Sequence, residues 1–406
     1  MTHVNRVVVT GMGVASPVGL TAAAYWASLK KGVCGIGPIE MPMAEQLSQK
    51  IGAQIKNFDP RTYFDDRQLS MLDRASQFAV VAAREAIAQS GLAIDERLSL
   101  RTATIVGSGA AGQFTTDESF FRIYRENKTR VFPLTVPKLM VNAPASQISM
   151  QCGLRGPAFV IASACASATH AIGIAFQMVR SGQVACAVTG GTEACITFGG
   201  IRAWEAMRVM APEACRPFSK DRRGLVMGEG AAMMVLETLE SARARGAEIL
   251  GEIAGFGMSA DAGDLTAPDV NGMTRAIDGA LADAGLAPQD IQYVNAHGTG
   301  TAANDETETK ALHQSFGVHA GKLAVSSTKS MVGHALGAAG ALELVASLMA
   351  IRDGIAPPTI NYLEGDPACD LDYVPNEARP MAIKAAISNS FAFGGLNAVL
   401  AVKKFS

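Results

Sequence analysis

F159-V-I-A-S-A-C-A-S-A-T-H-A-I172 passes from an apolar run, through small residues around one cysteine, into a helix-forming segment. Aromatic and β-branched residues suit an apolar strand, and the Ala and Ser residues suit a tight elbow. The reading is strand, elbow, helix, with Cys165 at the elbow. A thiol there meets the unpaired N–H groups and positive pole of the helix start, both of which favour thiolate. The small neighbours admit a bulky thioester, and the Cys165 N–H is placed to receive a developing oxyanion. A plain buried core thiol is the competing reading.

The surroundings extend this unit. V184-A-C-A-V-T-G-G follows as a second strand, so strand, helix and strand alternate in a mixed sheet covered by helices. V7-V-V-T-G-M-G reads as a buried strand and a tight turn, and R101-T-A-T-I-V-G-S-G as another strand entering a glycine turn. Residues 75 to 90 form a helix with a broad apolar face, stopped at Gly91. Residues 113 to 140 are more polar and aromatic, an excursion beyond the core layers.

The second half replays the pattern. I291-Q-Y-V-N-A leads to a glycine turn, L323-A-V-S-S-T enters a long Ala/Leu helix ending near R352-D-G, and residues 383 to 402 read as strand, loop, strand. S163-A-C-A-S-A and S326-S-T-K-S-M both lead from a serine-bearing strand end into an apolar helix finishing on Arg, one residue, Gly. A chain of 406 residues exceeds what one core usually supports. The expectation is a duplicated α/β fold: residues 1–250 carry the cysteine, residues 251–406 the histidines described next, and the halves meet at one site.

Hydrophobic residues make up 49% of the chain and glycine is abundant at 41, which suits packed layers. A net charge of -2 gives no general attraction to nucleic acid or anionic lipid. No apolar segment reaches membrane-spanning length without charged interruption, so no membrane insertion is expected. Seven cysteines without paired CxxC spacing fit free thiols in a reducing compartment. The start enters a strand at once, leaving no room for a signal peptide, and a cytoplasmic enzyme is expected.

Two histidines stand in Gly- and Ala-rich turns: His297 in V294-N-A-H-G-T-G-T and His334 in K329-S-M-V-G-H-A-L-G-A-A-G. With Cys165 they suggest covalent chemistry on an acyl group. A metal site using Cys165, His297, His334 and Asp305 or Glu308 is the main competitor. G107-S-G-A-A-G112 matches a dinucleotide-binding pattern, but no second strand end with an acidic residue follows about 20 residues later. It reads, like G11-M-G, as a packing turn.

Taken together, S163-A-C-A-S-A, N295-A-H-G-T-G-T, K329-S-M-V-G-H-A-L-G-A-A-G and S388-N-S-F-A-F-G-G-L-N resemble the β-ketoacyl-acyl-carrier-protein synthases over essentially the whole chain. The resemblance implies a thiolase fold, with duplicated α-β-α-β-α layers related by pseudo-two-fold symmetry, and a homodimer. It implies a synthase II-like acyltransferase of fatty acid elongation, working on substrates held on the phosphopantetheine of an acyl carrier protein. No cofactor is required. Cys165 matches the acylated nucleophile, His297 and His334 the paired histidines of the elongating class, and Lys329 the lysine that orders them. The Phe393 N–H matches the second oxyanion donor and Phe391 the mobile gate. Thr299 and Thr301 match residues beside phosphopantetheine, and Ala110 and Ile201 positions near the fatty chain. Asn295, Glu343, Ser388 and Asn389 match a structural Na+ or K+ site of some relatives, a hydrogen-bonded network being the alternative.

Departures from the family pattern stand at Ala392 for glycine, Leu396 for Thr, Gly300 for Ser and Ala110 for a bulkier residue. Ala392 would restrict the gate if that position needs positive φ. A203-W-E-A-M-R-V-M-A-P-E-A-C-R-P-F-S and the final motif resemble nodulation-type ketosynthases, which opens a specialised nodulation-type, polyunsaturated or polyketide-like acyl chain as an alternative. A noncatalytic chain-length partner is opposed by the intact Cys165, His297 and His334. Arg67, Arg74, Arg125, Lys128, Arg130 and Arg208 are candidates for a basic rim facing an acidic carrier.

Overall fold

Val7, Val8 and Val9 are sealed from solvent, as a strand at the middle of a covered sheet must be. The computed structural model describes residues 4–405. Its main sheet contains β1 Val7–Ala15, β2 Thr102–Gly107, β3 Ala158–Ile161, β4 Cys186–Glu193, β5 Gly230–Thr238, β6 Gly251–Ala260, β7 Tyr293–Asn295, β8 Ala324–Ser326, β9 Ala385–Ala392 and β10 Leu396–Lys403. The spatial order is β8-β7-β9-β10-β6-β1-β5-β4-β2-β3.

The duplication is visible in that order. Outward from the centre, the first five strands run first-fifth-fourth-second-third, and the last five run the same way. In each set the first pairs antiparallel with the fifth and the fifth with the fourth, while the fourth-second and second-third pairs are parallel. The halves join where β1 and β6 pair antiparallel.

The helices that matter are α1 Arg74–Ser90, α2 Gln113–Tyr124, α3 Ser167–Arg180, α4 Phe198–Met207, α5 Val270–Ala284, α6 Ala302–Phe316 and α7 Ala339–Asp353. α3 and α7 touch one another and strands of both halves, forming the central layer, and α1 and α5 cover β1 and β6. Residues 339–351 of α7 are all buried, which explains the weak amphipathicity of its Ala/Leu sequence. The family's duplicated α-β-α-β-α layering is therefore present.

One expectation needs correction. Gly11 and Gly13 form no turn, because β1 continues through them to Ala15. A Cβ on either would lie 2.0 Å from a carbonyl oxygen of α1, at Ala86 or Ala82. Gly255 and Gly257 of β6 admit the α5 backbone in the same manner. These glycines are close-approach sites inside strands. The 113–140 excursion does lie beyond the core, as α2 and the segment after it, and it exposes Phe120, Tyr124, Phe132 and Val136.

Candidate active site

Cys165 sits between β3 and α3 on a strained elbow. Ala164 before it holds φ +49°, an uncommon conformation for a residue with a Cβ. Ser167 closes the elbow: its Oγ donates to the Ala164 carbonyl at 2.6 Å and accepts the Ser163 N–H at 2.9 Å. Gly107, at the end of β2, lets this corner pack down, since a Cβ there would lie 2.3 Å from the Ala168 nitrogen.

His334 comes from the turn before α7. Its backbone is clamped by His334 N–H to the Val226 carbonyl at 2.7 Å and Gly228 N–H to the His334 carbonyl at 2.9 Å. Its Nε2 reaches Cys165 Sγ at 3.0 Å. His297 follows β7, and its ring centroid is 5.4 Å from that of His334 with the planes near perpendicular. The sulfur and both imidazoles are buried, with ligand-type atoms within 4.8 Å of one another. Three side chains far apart in sequence converge as expected.

Lys329 is fully buried and its ammonium has three hydrogens to place. It is ion-paired to Glu343, donates to the His297 carbonyl at 2.6 Å and approaches His297 Nδ1 at 3.4 Å. An ammonium cannot accept, so Nδ1 is the acceptor and His297 carries its proton on Nε2. Burial and the Lys329 charge push both imidazoles well below the usual histidine range, His334 adding to the effect on His297. Both rings are neutral at physiological pH. Burial pushes the Cys165 thiol up to about 12, while the Lys329 charge and a hydrogen bond from the Phe393 N–H pull the other way.

Asp305 and Glu308 do not join this cluster. Glu308 accepts the N–H groups of His297 and Gly298, each at 2.8 Å, and Asn389 Nδ2 at 3.1 Å. Asp305 accepts the Phe218 N–H at 2.7 Å and the Gly300 N–H at 3.2 Å. Both carboxylates shape the turn after β7, so neither completes a ligand set with Cys165, His297 and His334, and the Lys329 charge beside His297 Nδ1 opposes a second cation. The geometry disfavours the metal reading.

The G107-S-G-A-A-G turn binds an internal anion. Glu193, at the end of β4 and sealed from solvent, accepts the Ser108 hydroxyl and the N–H groups of Gly109, Ala110 and Gly337. Glu193 thus ties the elbow side of the site to the His334 turn. Sequence reasoning missed it, although an acidic residue closing C186-A-V-T-G-G-T-E193 was a usable signal.

A narrow cleft opens onto Cys165, His297 and His334 and is walled by Thr299, Thr301, Trp204, Phe391, Phe393 and Leu265. Thr299 and Thr301 share a hydroxyl contact at 2.9 Å. Ala110 and Ile201 are not in its walls; they pack with the apolar cluster that includes Cys165. Phe391 lies inside β9, buried beside His297, whereas Phe393 is half-exposed on the turn to β10. Positive φ falls on Gly394 and Gly395, at +84° and +68°, not on Ala392, so the alanine adds no backbone strain. Trp204 and the 261–268 loop were not anticipated as cleft walls. Asn295 Oδ1, Glu343 Oε2, Ser388 Oγ and Asn389 Oδ1 are buried without a hydrogen-bond partner among the described residues. Of the basic rim, Arg67, Arg125, Lys128, Arg130 and Arg208 are exposed, but Arg74 is taken by Glu229. No helix among the described residues is long and apolar enough to cross a membrane.

Comparison with known proteins agrees with this geometry. Residues 4–242 match the β-ketoacyl synthase N-terminal domain and residues 250–363 its C-terminal domain. Nodulation protein E of Rhizobium sp. (strain N33) is 50% identical over 98% of this chain and 99% of its own. The 3-oxoacyl-[acyl-carrier-protein] synthase 2 of Staphylococcus aureus (strain COL) is 43% identical over the full length of both. The ishigamide ketosynthase/chain length factor structure superposes with a TM-score of 0.94 at 36% identity, covering 99% of this chain and 100% of that one. A type II ketosynthase bound to its acyl-carrier protein and a hexaketide, AntDE:AntF, gives 0.90 at 30%, with the same coverage. The chain therefore belongs to the β-ketoacyl synthases, thiolase-fold condensing enzymes of the synthase II class that perform Claisen condensation through a Cys-His-His site.

Proposed function

We propose that this enzyme condenses an acyl group held on Cys165 with a malonyl unit delivered by acyl carrier protein, in the service of a dedicated acyl chain. The carrying observation is Cys165 Sγ at 3.0 Å from His334 Nε2, with His297 beside it at the floor of an open cleft. The dedicated role is supported by the 50% identity to nodulation protein E, against 43% to synthase 2. General fatty acid elongation is the second reading.

In the first stage, Cys165 sulfur attacks the acyl thioester. The S–H proton passes to the departing pantetheine sulfur, which leaves as a thiol, and the neutral His334 keeps its Nε2–H beside the sulfur. The N–H groups of Cys165 and Phe393 hold the oxyanion. In the second stage, the malonyl C–C bond breaks and carbon dioxide leaves. The enolate oxygen is held by Nε2–H groups of His297 and His334, each good donor worth roughly 3 kcal/mol. The carbanion attacks the acyl carbonyl, Cys165 thiolate leaves, and the product is two carbons longer. Decarboxylation supplies the carbanion, so no strong base is needed.

Lys329 serves as the positioning group, and Thr299 and Thr301 flank the pantetheine arm. The moving aromatic is better placed at Phe393, on its glycine turn, than at Phe391 inside a strand. The four unpartnered oxygens of Asn295, Glu343, Ser388 and Asn389 suit a monovalent cation such as Na+ or K+, which would fix the Lys329 neighbourhood electrostatically. The strand repeat supports division at 250/251 into a nucleophile half and a histidine half. The exposed apolar side chains Phe120, Phe132 and Val136, and separately the open edge of β3 with its exposed Phe159, suit contact with a second copy of the chain. The exposed arginines and Lys128 suit an acidic carrier. A soluble cytoplasmic setting follows from the carrier substrate.

The test is intact-mass analysis with carriers bearing acyl chains of different length and unsaturation. Efficient loading of unsaturated or otherwise unusual chains over ordinary saturated ones supports the dedicated role. The opposite preference favours general elongation.

A further inference from the structure

The A203-W-E-A-M-R segment has so far no part in the chemistry, yet Trp204 lines the cleft. Its ring stacks on Phe393, with centroids 6.1 Å apart and planes 26° from parallel. The two sides of this stack are built differently. α4 is anchored: Thr197 caps it by accepting the Gly200 N–H, Asp117 accepts the Gly199 N–H, and Glu205 accepts the N–H groups of Ser48 and Gln49. Ile201, one turn before Trp204, is sealed in the core. Phe393 instead heads a turn whose next two residues are positive-φ glycines, with Gly394 N–H tethered to the Leu265 carbonyl at 2.7 Å. Phe393 and Cys165 line the same cleft, and the Phe393 backbone N–H acts to lower the thiol against the effect of burial. The stack therefore joins a fixed helix to a pliable turn carrying an oxyanion donor.

We infer that Trp204 is a positioning and specificity-determining residue: it holds the Phe393 turn over Cys165 and so limits the girth of acyl groups that load. The inference rests on the acyl-Cys165 reading above. Loading a wide acyl group requires the Phe393 ring to leave the stack, whereas condensation requires its N–H to return. Weakening the stack thus accelerates loading of wide groups and slows the later step. An offset aromatic pair shifts such an equilibrium about two- to tenfold.

The experiment compares wild type, Trp204→Ala and Trp204→Phe. Rapid-quench mass spectrometry follows loading from dodecanoyl-carrier and from a phenyl-terminated acyl-carrier of similar length, then turnover of the acyl-enzyme by malonyl-carrier. In W204A, phenyl-acyl loading is expected to rise about two- to tenfold with little change for dodecanoyl, while malonyl turnover falls by a similar factor. W204F, which keeps a stack, returns both toward wild type. Loading and turnover falling together in W204A, or neither changing while wild type loads normally, overturns the inference. A wild-type protein that takes up no acyl group removes the parent reading, and this one with it.

Discussion

Lys329 Nζ lies 3.4 Å from His297 Nδ1, and this contact decides which nitrogen of the ring carries the proton. With two further Lys329 hydrogens committed to Glu343 and the His297 carbonyl, the His297 Nε2–H is left for the cleft. H297A should still form acyl-Cys165 but decarboxylate malonyl-carrier about 10²–10³-fold more slowly, the usual effect of removing one such donor. Carbon dioxide release from the acyl-enzyme checks this, and a normal rate removes His297 from the mechanism.

Lys329 and Glu343 form a buried ion pair, so removing one partner strands a charge. K329A should lose about 3–5 kcal/mol of stability, whereas the double variant K329M/E343L should recover most of it. Neither should decarboxylate well, because His297 loses its ordering partner. Urea midpoints paired with turnover separate the two effects. Recovery of activity in the double variant would show that Lys329 acts only on stability.

The sequence made the site's membership legible but not its supports. Cys165, His297 and His334 stood out because small residues and glycines surround reactive groups at element ends. The duplication was readable from the serine-bearing strand ends, which correspond to the matched entries into α3 and α7. Gly11 and Gly13 misled, since glycine marks both turns and close backbone approach, and only the position of α1 distinguishes them. Glu193 and Trp204 act through partners distant in sequence, which no local pattern discloses. Arg74 looked like rim charge until Glu229, 155 positions away, took it.

Acid should destabilise the fold through the two imidazoles. Their folded-state pKa values lie well below 6.5, so the unfolded chain binds more protons as pH drops through about 6.5. The stability they permit is present above that value and declines beneath it. Urea unfolding between about pH 8 and 5 should therefore lose midpoint in wild type more steeply than in H297A/H334A double variants. Equal slopes would show that these rings are not held neutral.

The resting thiol is predicted to be protonated. Labelling of the Cys165 peptide by iodoacetamide should rise close to tenfold per pH unit from about pH 7 to 9.5, as expected for a thiol near 12. Exposed Cys34 must be resolved separately by peptide mapping. A plateau below pH 8 would mean that the elbow and Lys329 stabilise a thiolate before substrate arrives.

Carrier docking should depend on salt if Arg67, Arg125, Lys128, Arg130 and Arg208 form its contact. Raising ionic strength from about 0.02 to 0.3 M shortens the screening length several-fold and should raise KM for acyl-carrier while sparing kcat. A KM that stays constant across that range excludes this rim.

Covalent capture followed by discharge is the most direct measurement. Mixing the enzyme with acyl-carrier should add one acyl mass, mapped to the Cys165 peptide and missing from C165A. Addition of malonyl-carrier should then clear that mass and yield a β-ketoacyl-carrier two carbons longer. An adduct on another cysteine, or an acyl-Cys165 that malonyl-carrier leaves intact, would contradict catalysis by this sulfur facing its two imidazoles.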